Sequence, residues 1–192
     1  MADSDGKLTF KDFTPKTDSV GTMYVGGGDD LSFEGVLMNN TTGLGYIGER
    51  VVSYSGVGDT ATISDNLTAI DGEVFDSKTE KVIFAGDVAE NGISENAFAK
   101  GTKLFIKPSA VNVKKFADDN GYAYSYIGDC NGDDAVNHND YMKAVLSYAK
   151  EGGVSGNDSD IIMDLNMDGE VTLYDVSVLL KYISGKISGF FK

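Results

Sequence analysis

The sequence of 192 residues predicts an α+β protein, with a short β-rich module followed by a small all-α module. Three observations lead to this fold class. Short apolar strand candidates recur every 21 or 22 residues before residue 125, two acidic twelve-residue segments lie 35 residues apart after it, and apolar residues at helical spacing follow each acidic segment. The chain divides accordingly into residues 1–47, 48–124 and 125–192.

The charge composition narrows the class of partner. Sixteen Lys and Arg stand against thirty Asp and Glu, for a formal net charge of −14, and nucleic-acid phosphates and anionic membranes repel such a chain. We therefore expect no nucleic-acid partner, and cations are the better candidates. The apolar runs are far shorter than the roughly 20 residues that span a bilayer, so we expect no membrane insertion.

Cysteine and histidine are nearly absent, which limits catalytic and metal chemistry. The single Cys and single His allow no intramolecular disulfide and no multi-cysteine zinc site. Histidine-based triads and catalytic zinc are equally disfavoured. We expect no catalytic residues in this chain.

Residues 1–47 are predicted to form a small β element or an N-terminal cap. Their strand candidates are residues 8–10, 23–25 and 31–37. No motif in this part indicates a particular chemistry.

Residues 48–124 contain a repeat. Strand candidates at 59–63, 81–84 and 103–106 are separated by turn residues, and the pair Ile70 and Phe75 recurs 23 residues later as Ile93 and Phe98. One short strand and one inward Phe per repeat predict a solenoid, because each unit can bury its apolar edge only against its neighbours. Val111 and Phe116 continue the same apolar spacing.

The amino-acid sequence of this repeat resembles the bacterial BspA-type leucine-rich repeats. The resemblance is carried by residues 52–56, 61–72 and 93–98, and by a closing unit at 104–122 that implies a short helix before a final strand. It implies a leucine-rich-repeat-like module over residues 48–124. Two interpretations stay open: a scaffold without chemistry, or a face that binds carbohydrate or protein. The aromatic candidates for sugar binding are Tyr24, Tyr46, Tyr54 and Tyr122.

Two segments, 129–140 and 164–175, share one pattern of oxygen-bearing residues. Acids, amides or a hydroxyl stand at positions 1, 3, 5, 9 and 12, which are EF-hand-like calcium-loop positions. Ca²⁺ takes six to eight oxygen ligands, and a tight loop turns alternate side chains inward while position 7 offers its backbone carbonyl. The sequence therefore predicts two calcium ions. The first set of ligands is Asp129, Asn131, Asp133, Ala135, Asn137 and Asp140, and the second is Asp164, Asn166, Asp168, Glu170, Thr172 and Asp175.

The two loops differ at the sixth position, where calcium loops usually carry Gly for a left-handed turn. Gly169 fills it in the second loop and Asp134 in the first, so we expect a weaker first site. Helical spacing follows each loop, and no comparable helix is predicted to enter either one. Position 10, His138, and position 2, Cys130, are expected to point away from the metal.

Duplicated loop-helix units with Asp at position 12 resemble the dockerin modules of cellulosomes, over about residues 127–188. The resemblance implies calcium-dependent folding and binding to a cohesin module of a scaffoldin, without catalysis. The positions that contact the cohesin in this family correspond here to His138, Asn139, Val145, Leu146 and Lys150 in the first copy, and to Leu173, Tyr174, Leu180 and Lys181 in the second.

The two copies are unlike at positions 10 and 11, with His138 and Asn139 in one and Leu173 and Tyr174 in the other. We therefore expect one dominant binding orientation. Apolar and aromatic anchors dominate interface energies, which favours Leu173, Tyr174 and Leu180 as the hot spot. The alternative for Leu180 is internal packing.

Together these features predict a non-catalytic, calcium-dependent adaptor that anchors the repeat module in an extracellular, cellulosome-like assembly. Two alternatives stay open. The chain could be the C-terminal piece of a polysaccharide-degrading enzyme whose catalytic domain lies upstream, or an adhesin whose repeat module binds carbohydrate or protein. Within this sequence no paired-carboxylate site can be argued.

Overall fold

The computed structural model describes residues 37–38, 42–56, 58–151 and 158–190. Its eight strands and four helices follow one another along the chain. They are β1 (Leu37–Met38), β2 (Leu44–Ile47), β3 (Arg50–Tyr54), β4 (Thr60–Ile63), β5 (Ala69–Ile70), β6 (Lys81–Phe84), β7 (Lys103–Ile106), α1 (Val111–Asn120), β8 (Tyr124–Tyr126), α2 (His138–Glu151), α3 (Ser159–Met163) and α4 (Leu173–Ile183).

The first sheet has the strand order β1-β2-β3-β5. The pairs β1–β2 and β2–β3 are antiparallel, whereas β3 and β5 are parallel. The strand candidates predicted at residues 8–10 and 23–25 lie outside the described residues, as does most of the candidate at 31–37. This sheet joins residues 44–47 to the repeats, so backbone pairing continues across the predicted limit at residue 47.

The second sheet is parallel and has the order β4-β6-β7-β8. Its strands align without slippage, so that Thr60 lies opposite Lys81 and Lys81 opposite Lys103. The strands predicted from the repeat spacing at 59–63, 81–84 and 103–106 are therefore confirmed to within one residue. The helix and final strand predicted at the end of the array are confirmed as α1 and β8.

A column of aromatic rings fills the interior between the repeats. Phe75 and Phe98 are buried, with ring centroids 5.3 Å apart, and Phe116 meets Phe98 edge-on at 5.9 Å. A parallel bridge between Ile70 and Ile93 aligns the same units. The third unit departs from the sequence pattern, because Val111 is exposed at the start of α1. Stacking of neighbouring units is what lets each short repeat bury its rings.

The described residues form two apolar clusters. One fills the repeats, and the other unites α2, α3 and α4 with Phe105 from β7. Ile83 from β6 packs against the second cluster as well. The outer face of the parallel sheet is therefore covered by the helices that follow it, and β8 carries backbone pairing past the predicted limit at residue 124.

The segment entering the second loop corrects a prediction. No helix comparable to the exiting helices was expected there, yet α3 spans Ser159–Met163, with Asp164 as its C-cap. Its five residues are too few to show a helical period in the sequence. Among the described helices, none combines the length and apolarity that a membrane span requires.

Candidate calcium and partner-binding site

The first loop, residues 129–140, is organised by its own carboxylates. Asp129 accepts hydrogen bonds from the backbone N–H groups of Gly132 at 2.8 Å and Asp134 at 2.9 Å. Asp140 accepts from the backbone N–H groups of Asn131 at 3.1 Å and Asn137 at 2.7 Å. The acids at positions 1 and 12 therefore hold the two halves of the loop together.

The second loop, residues 164–175, repeats these bonds at the matching positions. Asp164 accepts from the N–H of Gly169 at 2.9 Å, as Asp129 does from Asp134. Asp175 accepts from the N–H of Asn166 at 3.3 Å and of Thr172 at 2.8 Å. Each of these bonds lies within one loop, so the agreement reflects the matching sequences of the two loops.

The exiting helices begin at position 10, which puts the position-12 acid in the first turn. In α4, Thr172 is the N-cap, its hydroxyl accepts from the Tyr174 N–H at 3.1 Å, and Asp175 closes a capping box. In α2, Asn137 accepts from the Asn139 N–H at 2.8 Å in the same way. The acid at position 12 thus caps its helix and is also a predicted metal ligand. Capping keeps its carboxylate in one orientation.

The donor set of the first loop fits a hard cation. One carboxylate oxygen each from Asp129, Asp133 and Asp140 lies within 4.8 Å of the others, a spacing that a single Ca²⁺ can bridge with ligand distances of about 2.3 to 2.6 Å. Asp140 is fully buried and Asp129 is 5% exposed. Among the described residues, the corresponding acids of the second loop do not form a group this tight.

Burial of these acids raises their affinity for a positive charge. It raises the pKa of Asp140 and of Asp164, in both cases chiefly because the charged form loses water, and backbone N–H donors only partly oppose the change. A desolvated carboxylate is stabilised by a proton or by a cation. A bound metal ion would therefore compensate these two carboxylates for the water that they lose.

Each loop contains two residues in the left-handed region, at positions 4 and 6. In the first loop these are Gly132 (φ 75°) and Asp134 (φ 64°), and in the second Met167 (φ 58°) and Gly169 (φ 86°). The expectation of weaker calcium binding at the first site rested on position 6 alone. At position 4 the first loop has Gly and the second has Met167, so each loop has one Gly and one non-Gly residue with left-handed backbone.

Cys130 is position 2 of the first loop and is not part of its acidic group. Its thiol is directed to the Gly128 carbonyl oxygen at 3.5 Å, and burial raises the pKa of Cys130 to about 12. The side chain of His138 is exposed and its ring lies 5.7 Å from that of Tyr141. Neither residue is in the acidic group that could hold the metal.

The residues predicted to contact a partner are mostly on the surface. Leu173 is 60% exposed, Tyr174 57%, Leu146 52% and Leu180 41%, so Leu180 is the least exposed of the four and is partly packed. Lys181 lies with its Nζ 5.8 Å from the centre of the Tyr174 ring. Leu173, Tyr174, Leu180 and Lys181 share one face of α4, because residues seven apart lie two turns along a helix.

The first copy is more polar than the second at positions 10 and 11, although its helix also exposes Leu146. His138 and Asn139 are exposed, Val145 is half-buried, and the side chain of Lys150 lies outside the described residues. Met142 was not among the predicted contact residues, yet it is 45% exposed one turn before Leu146 on α2. Its four-residue spacing from Leu146 was a signal that could have identified it.

These loops and helices define a calcium-binding docking module. Residues 127–184 match the family model described as the dockerin type I domain, which confirms the resemblance over that segment. Dockerin domains bind calcium and serve as calcium-dependent adaptors for cohesins. The comparison with curated proteins found no match, and neither did the comparison with solved structures.

Proposed function

We propose that this chain is a non-catalytic adaptor whose dockerin domain binds two calcium ions and a cohesin of a scaffoldin, and so anchors the repeat module in an extracellular, cellulosome-like assembly. The observation that carries the proposal is the exposed apolar face of α4. Large apolar side chains on a surface that is otherwise acidic and polar are typical of a protein-protein contact. They begin at the last positions of the second loop and continue along α4, within the segment that matches the dockerin family.

The calcium ions act by orienting the helices. Each position-12 acid caps an exiting helix and also ligates, so that the metal ties the start of α2 or α4 to the beginning of its loop. Without Ca²⁺ the buried acids repel one another, and the contact face loses its support. Calcium therefore has to be present for tight cohesin binding.

The repeat module is proposed to be the cargo. Its parallel strands at 21- to 22-residue spacing and its ring column support a leucine-rich-repeat-like solenoid. The aromatic residues considered for sugar binding do not form an open platform, because Tyr46, Tyr54 and Tyr122 pack against the repeat core. Tyr24 lies outside the described residues.

Isothermal titration calorimetry against a panel of cohesins tests the adaptor role. We expect at least one cohesin to bind in millimolar calcium and to show no binding in excess chelator. Tyr174→Ala is expected to weaken that binding, whereas Val111→Ala is the matched control, because Val111 is 64% exposed but lies on α1. Calcium-independent binding, or equal losses in both variants, would contradict the proposal.

A further inference from the structure

The helix α3 cannot hold its own position. It has five residues, and isolated helices shorter than about 12 residues are marginal in water. Its last residue, Met163, is followed by Asp164, the first ligand position of the second loop. Whatever holds α3 in place therefore also sets the position of Asp164.

Two lysines of the repeat sheet hold the beginning of α3. Asp158, the residue before the helix, forms ion pairs with Lys103 Nζ at 2.8 Å and Lys81 Nζ at 3.3 Å. The two lysines lie opposite each other on adjacent strands, β6 and β7. All three side chains are at most about a third exposed, so salt screens this network less than a surface pair.

The ion pairs with Lys103 and Lys81 also lower the pKa of Asp158. The hydrogen bond from Lys103 is the main cause that lowers the pKa of Asp158. The carboxylate is therefore charged and paired throughout the neutral range.

Apolar packing and one backbone bond complete the attachment of α3. Phe105 is fully buried in the same cluster as Met163 and Leu165, and Ile162 accepts a hydrogen bond from the Gly128 N–H at 2.8 Å. The second loop also contributes to this packing, because Leu165 is buried in the cluster and Val171 packs against it. Beside these contacts, a cleft of about 530 Å³ is lined by Ile83 and by loop residues, so α3 and Leu165 carry the link to the sheet.

We infer that the outer face of the repeat sheet is a positioning surface for the second calcium loop, on which Lys81 and Lys103 hold Asp158 and α3 passes that constraint to Asp164. The inference rests on the proposed calcium sites. The first loop has an attachment of its own to the sheet, because it continues directly from β8, where the Ile127 N–H donates to the Ile106 carbonyl oxygen at 2.8 Å. Its tie to α3 is the bond between Gly128 and Ile162. Lys81 and Lys103 are positioning residues and do not touch the metal.

Single-site variants of the full chain allow a test. Asp129→Ala leaves the second loop as the intact site, and Asp164→Ala leaves the first. Lys81→Ala with Lys103→Ala is then added to each, and calcium affinity is measured by calorimetry. We expect about a fivefold loss in the Asp129→Ala background, which is at the low end for coupled sites, and a smaller loss in the Asp164→Ala background.

The direction of the effect separates positioning from general electrostatics. Removing two positive charges from an acidic protein should by itself strengthen calcium binding. The control Lys100→Ala with Lys115→Ala removes the same charge elsewhere and is expected to leave affinity unchanged or raised. Asp158→Asn should reproduce the loss and add nothing to the lysine variant, since paired residues are non-additive.

Three outcomes would overturn the inference: unchanged affinity of the second loop, equal losses in both loops, or an equal loss in the control. Failure of the calcium sites themselves is distinguishable, because Asp129→Ala would then bind no calcium before any lysine is changed. No cohesin is used, so the result is independent of the partner.

Discussion

The two calcium loops share their internal bonds but differ in how they join the rest of the protein. The first continues from β8 of the repeat sheet, whereas the second enters from α3, which the sheet holds through side chains. They also differ at positions 10 and 11, where the first is polar and the second is apolar. The two copies therefore agree in the bonds inside their loops and differ in their surroundings.

The comparison also shows that strain is distributed evenly between the loops. Asp134 in the first and Met167 in the second both adopt left-handed backbone. Judging affinity from one position of the motif is therefore unsafe. The surroundings of each loop are the better guide to how the sites differ.

The largest expected effect removes what the loops share. Asp129→Ala with Asp164→Ala should abolish calcium-dependent stabilisation, because the first oxygen ligand of each site is lost. Thermal unfolding followed by circular dichroism, with and without calcium, measures it. The wild-type chain should lose helical signal in chelator, and a double variant that still gained stability from calcium would contradict the assignment of the ligands.

A smaller effect is expected at the partner face, where the copies diverge. Tyr174→Ala should weaken cohesin binding about tenfold, or about 1.4 kcal/mol, since an exposed aromatic anchor is lost. His138→Ala in the first copy should change it less than threefold. Equal losses in calorimetry would mean that both copies serve as binding faces and that no single orientation dominates.

The smallest effects concern the strained residues. Asp134→Gly and Met167→Gly should each stabilise the calcium-loaded fold by up to about 1 kcal/mol, because Gly adopts positive φ without steric cost. Chemical denaturation in saturating calcium measures the gain. If only Asp134→Gly stabilised the fold, this result would support the expectation of a weaker first site.

Reverse substitutions provide the control. Gly132→Ala and Gly169→Ala should destabilise each loop, and the added Cβ meets nothing within 4 Å at either position. Any loss therefore measures backbone strain alone. Unequal losses would show that the loops differ in rigidity.

Much of the site could be predicted from the sequence because its geometry is local. The ligands of each loop lie within twelve residues, and their carboxylates bind backbone N–H groups nearby. The repeat strands were predictable for the same reason, since regular spacing is visible along the chain. By contrast, α3 was missed because one turn of helix has no period, and Met142 was missed because its exposure depends on which face α2 buries.

The sequence by itself determined the two predicted ligand patterns, the acidic character of the chain and the approximate positions of the parallel strands. Only the tertiary structure decided that the helices following the repeats pack against the repeat sheet. The ion pair of Lys103 with Asp158 joins residues 55 positions apart, and Phe105 is buried only because the helices cover its face of the sheet. Such contacts follow from how the chain folds back on itself, and no local pattern of residues encodes them.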